Sequence, residues 1–149
     1  MLTNIWKSVQ EKAGGLKTNI LQYKNRSFLN SMAAGSVLIA RADGNIDDNE
    51  KQKMLALITT NDSLSIFDKA EVIKVFNEYL SYFDFDADVG NSKACEALNK
   101  VRGDDLQCRT LMRLVIAVAT ADGTFDDDEK VIARKVAIEL GLTPSEFDL

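Results

Sequence analysis

Ten residues, Ala42-Asp43-Gly44-Asn45-Ile46-Asp47-Asp48-Asn49-Glu50-Lys51, return 79 positions later as Ala121-Asp122-Gly123-Thr124-Phe125-Asp126-Asp127-Asp128-Glu129-Lys130. Both copies read A-D-G-x-[I/F]-D-D-x-E-K. Each follows a run of small and apolar residues, 36–40 in the first case and 115–119 in the second. Each precedes a segment with apolar residues at helical spacing. A word this unusual, repeated in one local context, restricts the chain to folds with two related helix–turn–helix units. The spacing places them at residues 27–60 and 106–140.

The word itself contains stop and start signals. Gly44 and Gly123 stand where a glycine ends a helix, because glycine enters the left-handed region cheaply. Asp47-x-x-Glu50 and Asp126-x-x-Glu129 then match capping boxes that start the next helix. Before the first word, Phe28, Leu29, Met32, Val37 and Ala40 predict a helix over 27–43, with Ala33 to Ser36 small enough for close packing. After it, Met54, Leu55, Leu57 and Ile58 give a core face. Around the second word, Leu111, Ile116 and Ala119 play the first role, and Val131, Ile132, Val136 and Leu140 the second.

Between the units, Ser65 to Asp68 reads as a helix start. Val72, Ile73, Val75, Phe76, Tyr79, Leu80 and Phe83 follow as the most hydrophobic helix, expected at the centre of the fold. The stretch 84–90 is acidic and resembles a calcium loop in part. Its glycine falls one place late, and the residue twelve along from Asp84 is Cys95 where a glutamate is required. It reads as an acidic loop, followed by a helix over 92–102. Thr143-Pro144-Ser145-Glu146 carries a capping threonine, a first-turn proline and a box glutamate, the pattern of a final helix start. No segment reads as a strand. The expected architecture is one all-α domain over 1–149, a compact bundle of about seven helices in two pseudo-symmetric halves.

The length is enough for one core without staples, and no apolar run is long enough to span a bilayer. No signal peptide is read at the N-terminus. Cys95 and Cys108 lack metal or redox spacing and read as small core residues of a reducing compartment. The expected location is cytoplasmic, with peripheral contact at the inner membrane left open. The net charge of −5 is uneven. Residues 1–30 hold Lys7, Lys12, Lys17, Lys24 and Arg26 against Glu11, leaving an acidic body that argues against nucleic acid as a partner. Within residues 1–26, Leu2, Ile5, Trp6 and Val9 recur at helical spacing among the lysines. This basic amphipathic segment either packs on the body or meets, through residues 1–24, a membrane surface or partner groove.

Two readings of the acidic words remain open. Caps and first-turn carboxylates explain most of each word structurally. Asp43 and Asp122 resist that account, since a carboxylate at a helix C-terminus is disfavoured by about 0.3–1 kcal/mol. The alternative is a cation site formed by Asp43, Asp47, Glu50, Asp122, Asp126 and Glu129. With oxygen donors and no histidine, such a site suits a hard divalent cation, Ca²⁺, Mg²⁺ or Mn²⁺. An enzyme is not expected: the chain has no histidine, no nucleophile–base signature and no glycine-rich phosphate loop.

The doubled word, together with Gly141-Leu142-Thr143-Pro144-Ser145-Glu146-Phe147, resembles the tellurite-resistance protein TerB family over about residues 27–147. The resemblance implies a helical fold of two similar halves and a bacterial cytoplasmic role in the tellurium-resistance stress response. It implies an integral membrane partner, TerC, and metal binding by the six acidic residues named above. It implies no reaction.

Overall fold

The computed structural model describes residues 25–44, 46–60, 62–120 and 123–149. The basic segment 1–24 and Asp122 lie outside the described residues. Six α-helices stand among the described residues, against the seven or so expected: α1 (Arg26–Ala40), α2 (Asp48–Thr60), α3 (Lys69–Phe85), α4 (Ala87–Val101), α5 (Asp105–Ala119) and α6 (Asp127–Glu139). Short 3₁₀ turns occupy Asp62–Leu64 and Pro144–Phe147. The described residues contain no strand, so the fold is all-α.

The repeat extends well beyond the ten-residue word. Helices α1 and α5 have 15 residues each, and α2 and α6 have 13 each. Every start and end in one pair lies 79 positions from its counterpart. The caps follow the same offset. Asn25 accepts from Phe28 N–H at 2.9 Å, and Asp104 from Gln107 N–H at 3.1 Å. Both helices therefore begin one residue after a short polar side chain that satisfies an otherwise unpaired N–H.

The central element is α1, where the sequence points to α3. Helix α1 packs against α3, α4, α5 and α6. Phe28, Leu29, Met32, Val37 and Ile39 are all buried along it. Its small residues explain the placement. A Cβ on Gly35 would stand 3.1 Å from Val115 of α5 and 3.6 Å from Val136 of α6, so the three helices meet there. Helix α3 is more apolar in its large residues, but it buries one face only, through Val72, Val75, Phe76, Tyr79, Leu80 and Phe83. It begins at Lys69, after a turn, and not at Ser65.

The acidic stretch 84–90 is not a loop. Helix α3 runs to Phe85, and α4 starts at Ala87, five residues before the expected Ser92. Asp86 alone separates them. Its Oδ1 accepts from Asp88 N–H at 2.7 Å and Val89 N–H at 3.2 Å, an N-cap in a run that looks unstructured by composition. Asp84 pairs with Lys51 at 2.6 Å and ties α3 to α2. Gly90 enters α4 where the chain doubles back on Phe83, and both are buried. At the far end, Thr143 makes no side-chain cap bond, and Pro144–Phe147 is a single 3₁₀ turn.

Two buried hydroxyls occupy corresponding positions and differ in partners. Ser31 Oγ lies 2.7 Å from Ser27 O and 2.8 Å from Ala97 O, linking α1 to α4. Thr110 Oγ1, 79 positions on, is buried without a hydrogen-bond partner. A buried, unpaired hydroxyl costs roughly 1–3 kcal/mol, while removing a paired one loses roughly 0.5–1.5 kcal/mol. Thr110→Val is therefore expected to raise stability by about 1 kcal/mol, and Ser31→Ala to lower it by a similar amount. Urea unfolding of both variants checks the opposite signs.

The candidate site at the two acidic turns

The two turns share one hydrogen-bond pattern. Gly44 N–H donates to Arg41 O at 3.0 Å, and Gly123 N–H to Thr120 O at 2.9 Å. Both glycines have positive φ, +127° and +85°. Helix α1 ends at Ala40 with Arg41 as its cap, so Asp43 sits in the turn itself and not in the last helical residue. The dipole penalty expected for Asp43 is correspondingly smaller, because the effect fades beyond the last turn.

The start signals hold in both copies. Asp47 Oδ1 accepts from Glu50 N–H at 2.7 Å, and Asp126 Oδ1 from Glu129 N–H at 2.8 Å. In the second copy Glu129 returns the bond to Asp126 N–H at 3.1 Å and completes the box. Among the described residues no such return bond from Glu50 is made. Ile46 and Phe125, one residue before each cap, are buried in the core. Each word thus ends one helix, sinks an apolar anchor and starts the next.

The words meet in space. A cleft of about 260 Å³ lies between α2 and the second turn. Asp43 and Glu50 from the first copy and Asp126 and Glu129 from the second line it. Lys53 joins them, a residue that the motif alone does not point to. Ala40, Ile46, Met54, Leu57 and Val118 form its apolar part. Asp47 is not among the lining residues; its carboxylate serves the cap. The donor chemistry suits a hard cation. Among the described residues no three acidic, cysteine or histidine side chains form a group able to hold a metal.

The cleft exists because the copies pack differently. Helix α6 buries Ala133, Val136 and Ala137. Helix α2 buries Ile58 alone and leans mainly on α3. Met54 and Leu57, the counterparts of Ala133 and Val136, are only partly buried.

The chain has relatives among known proteins. The family model described as tellurite resistance protein TerB matches residues 30–149, which takes in both words and all that lies between them. The chain belongs to the TerB family. A curated relative, the tellurium resistance protein TerB of an Alcaligenes species, is 30% identical over 101 residues, 68% of this chain and 83% of the relative. No solved structure gives a significant match. In this TerB-family chain no helix among the described residues is long and apolar enough to cross a membrane. Both cysteines are free thiols. Burial pushes the Cys95 and Cys108 thiols up from their ordinary range, which leaves them poor nucleophiles at neutral pH.

Proposed function

We propose that this TerB-family chain acts without catalysis, as an acidic, cation-responsive adaptor in the tellurite stress response. The site is the cleft between the turns. Asp43, Glu50, Asp126 and Glu129 line it, with Asp122 adjoining in sequence, and a hard divalent cation such as Ca²⁺, Mg²⁺ or Mn²⁺ is the ligand. The observation that carries this reading is that carboxylates from both words line one cleft. Asp43 and Glu50 add support, because the turn's own hydrogen bonds leave their carboxylates unused among the described residues. Repulsion among these groups is relieved by a cation. The response reaches an integral membrane partner of the TerC kind, and residues 1–24 make peripheral contact with the membrane, favoured by the net positive charge of that segment. Nucleic acid is not a partner of so acidic a body.

A second reading has its own support. Caps account for Asp47, Asp126 and Glu129, and no three-ligand group is formed among the described residues. On that reading the domain is an interaction module with no metal site. Melting curves separate the two. With millimolar cation in place of chelator, the wild-type midpoint is expected to rise, since a ligand of the folded state adds RT ln(1 + [L]/Kd). Asp43→Asn with Glu50→Gln leaves the caps intact. It is expected to stabilise the metal-free protein slightly and to abolish the rise. A wild-type curve that no hard cation moves would leave the interaction module standing.

A further inference from the structure

The apolar part of the cleft is what a cation does not use. A hard cation takes oxygen ligands and water, and Met54, Leu57 and Val118 offer neither. At the corresponding positions of α6, Ala133 and Val136 are buried, with Val136 close to Gly35 of α1. Helix α2 therefore leaves partly uncovered a strip that its counterpart buries. Lys53 stands where α6 carries Ile132. Among the described residues the rim sets Asp43, Glu50, Asp126 and Glu129 against Lys53. At about 260 Å³ the cleft falls below the roughly 300–1,000 Å³ of small-molecule pockets. That is room for one or two side chains.

We propose that this cleft docks a segment of a protein partner that presents an apolar side chain flanked by lysine or arginine. The apolar side chain covers Met54 and Leu57, and the flanking cations face the acidic rim. Charge complementarity selects this occupant. An acidic segment would meet like charge, and an uncharged one would desolvate the rim carboxylates without pairing them. An anionic membrane surface is repelled by the same rim. The helix-in-groove mode, with apolar anchors three and four residues apart, supplies the chemistry. The inference shares its rim with the cation reading but needs no cation.

The test uses the full-length chain in chelator and fluorescence polarisation. The probe is a short labelled peptide with leucines at alternating third and fourth positions and lysines between them. Two control peptides replace the lysines by glutamate or the leucines by serine. The lysine–leucine peptide is expected to bind, with affinity falling about tenfold or more as salt screens the rim. Both controls are expected to bind at least tenfold more weakly. Met54→Gln, and separately Asp43→Asn with Glu50→Gln, are expected to weaken binding several-fold while circular dichroism melting stays close to wild type. Absence of binding, equal binding of a control peptide, or binding that ignores both variants would overturn the proposal. Self-association of the full chain that Met54→Gln abolishes would place a second copy in the cleft and overturn it too. Cation-dependent melting without peptide binding rejects this inference and leaves the cation reading intact; the reverse result does the opposite.

Discussion

Phe125→Ala is expected to destabilise the protein by about 3–5 kcal/mol, the range for truncating a fully buried aromatic side chain. Phe125 is 1% exposed although it lies in a turn, directly before an acidic helix start. Its ring is the anchor that holds the second turn on the core, and Asp126 follows it directly as the cap of α6. Ile46 fills the same role in the first copy. If Phe125 anchors the turn, chemical unfolding should lose the full amount, with the slope against denaturant unchanged. A loss below about 1 kcal/mol would mean that the turn is held by its caps alone, each worth roughly 0.5–2 kcal/mol.

The second large effect is expected at Gly90. A Cβ there would overlap the root of the Phe83 ring, which is itself buried between α3 and α4. The ring has no free end to swing away, so either α4 moves off α3 or Phe83 leaves its rotamer. Overpacking of this kind costs about 1–3 kcal/mol, and here it outweighs the gain of under about 1 kcal/mol from placing alanine in a helix. Gly90→Ala is therefore expected to lower the melting temperature, where alanine at an ordinary helical glycine raises it. Gly90→Ala with Phe83→Leu should recover part of the loss, because the smaller side chain makes room. Additive losses in the double variant would show that the two positions are not coupled.

The helix starts inside the two words were legible in the sequence, because a short polar residue before an apolar-periodic run has one main use. Asp47 and Asp126 both cap as side-chain chemistry requires, whereas the caps at Asn25, Asp86 and Asp104 carried no such repeated word. The turns at Gly44 and Gly123 were equally plain, since positive φ favours glycine, although the helices before them end at Ala40 and Ala119, short of the expected bounds. The acidic stretch misled for a physical reason. Asp84, Asp86 and Asp88 look like loop composition, yet one ends a helix in an ion pair, one caps the next and one occupies its first turn. The central place of α1 was hidden because small residues carry little hydrophobic signal and matter only when another helix comes close. At the site, the words gave the carboxylates but not the cleft. Its shape depends on α2 failing to pack as α6 does, a difference set by Lys53, Met54 and Leu57 lying outside the repeated letters.

Manganese broadening of amide signals in the ¹⁵N-labelled full-length protein tests the central claim most directly, since a paramagnetic ion marks whatever lies near it. If one cleft joins the two turns and binds a cation, substoichiometric Mn²⁺ should broaden Gly44 and Glu50 of the first turn together with Thr124 and Glu129 of the second. Excess Mg²⁺ should restore both sets at the same concentration. Broadening confined to one turn, or absent from both while remote acidic residues such as Asp105 and Glu96 broaden, would contradict a shared site.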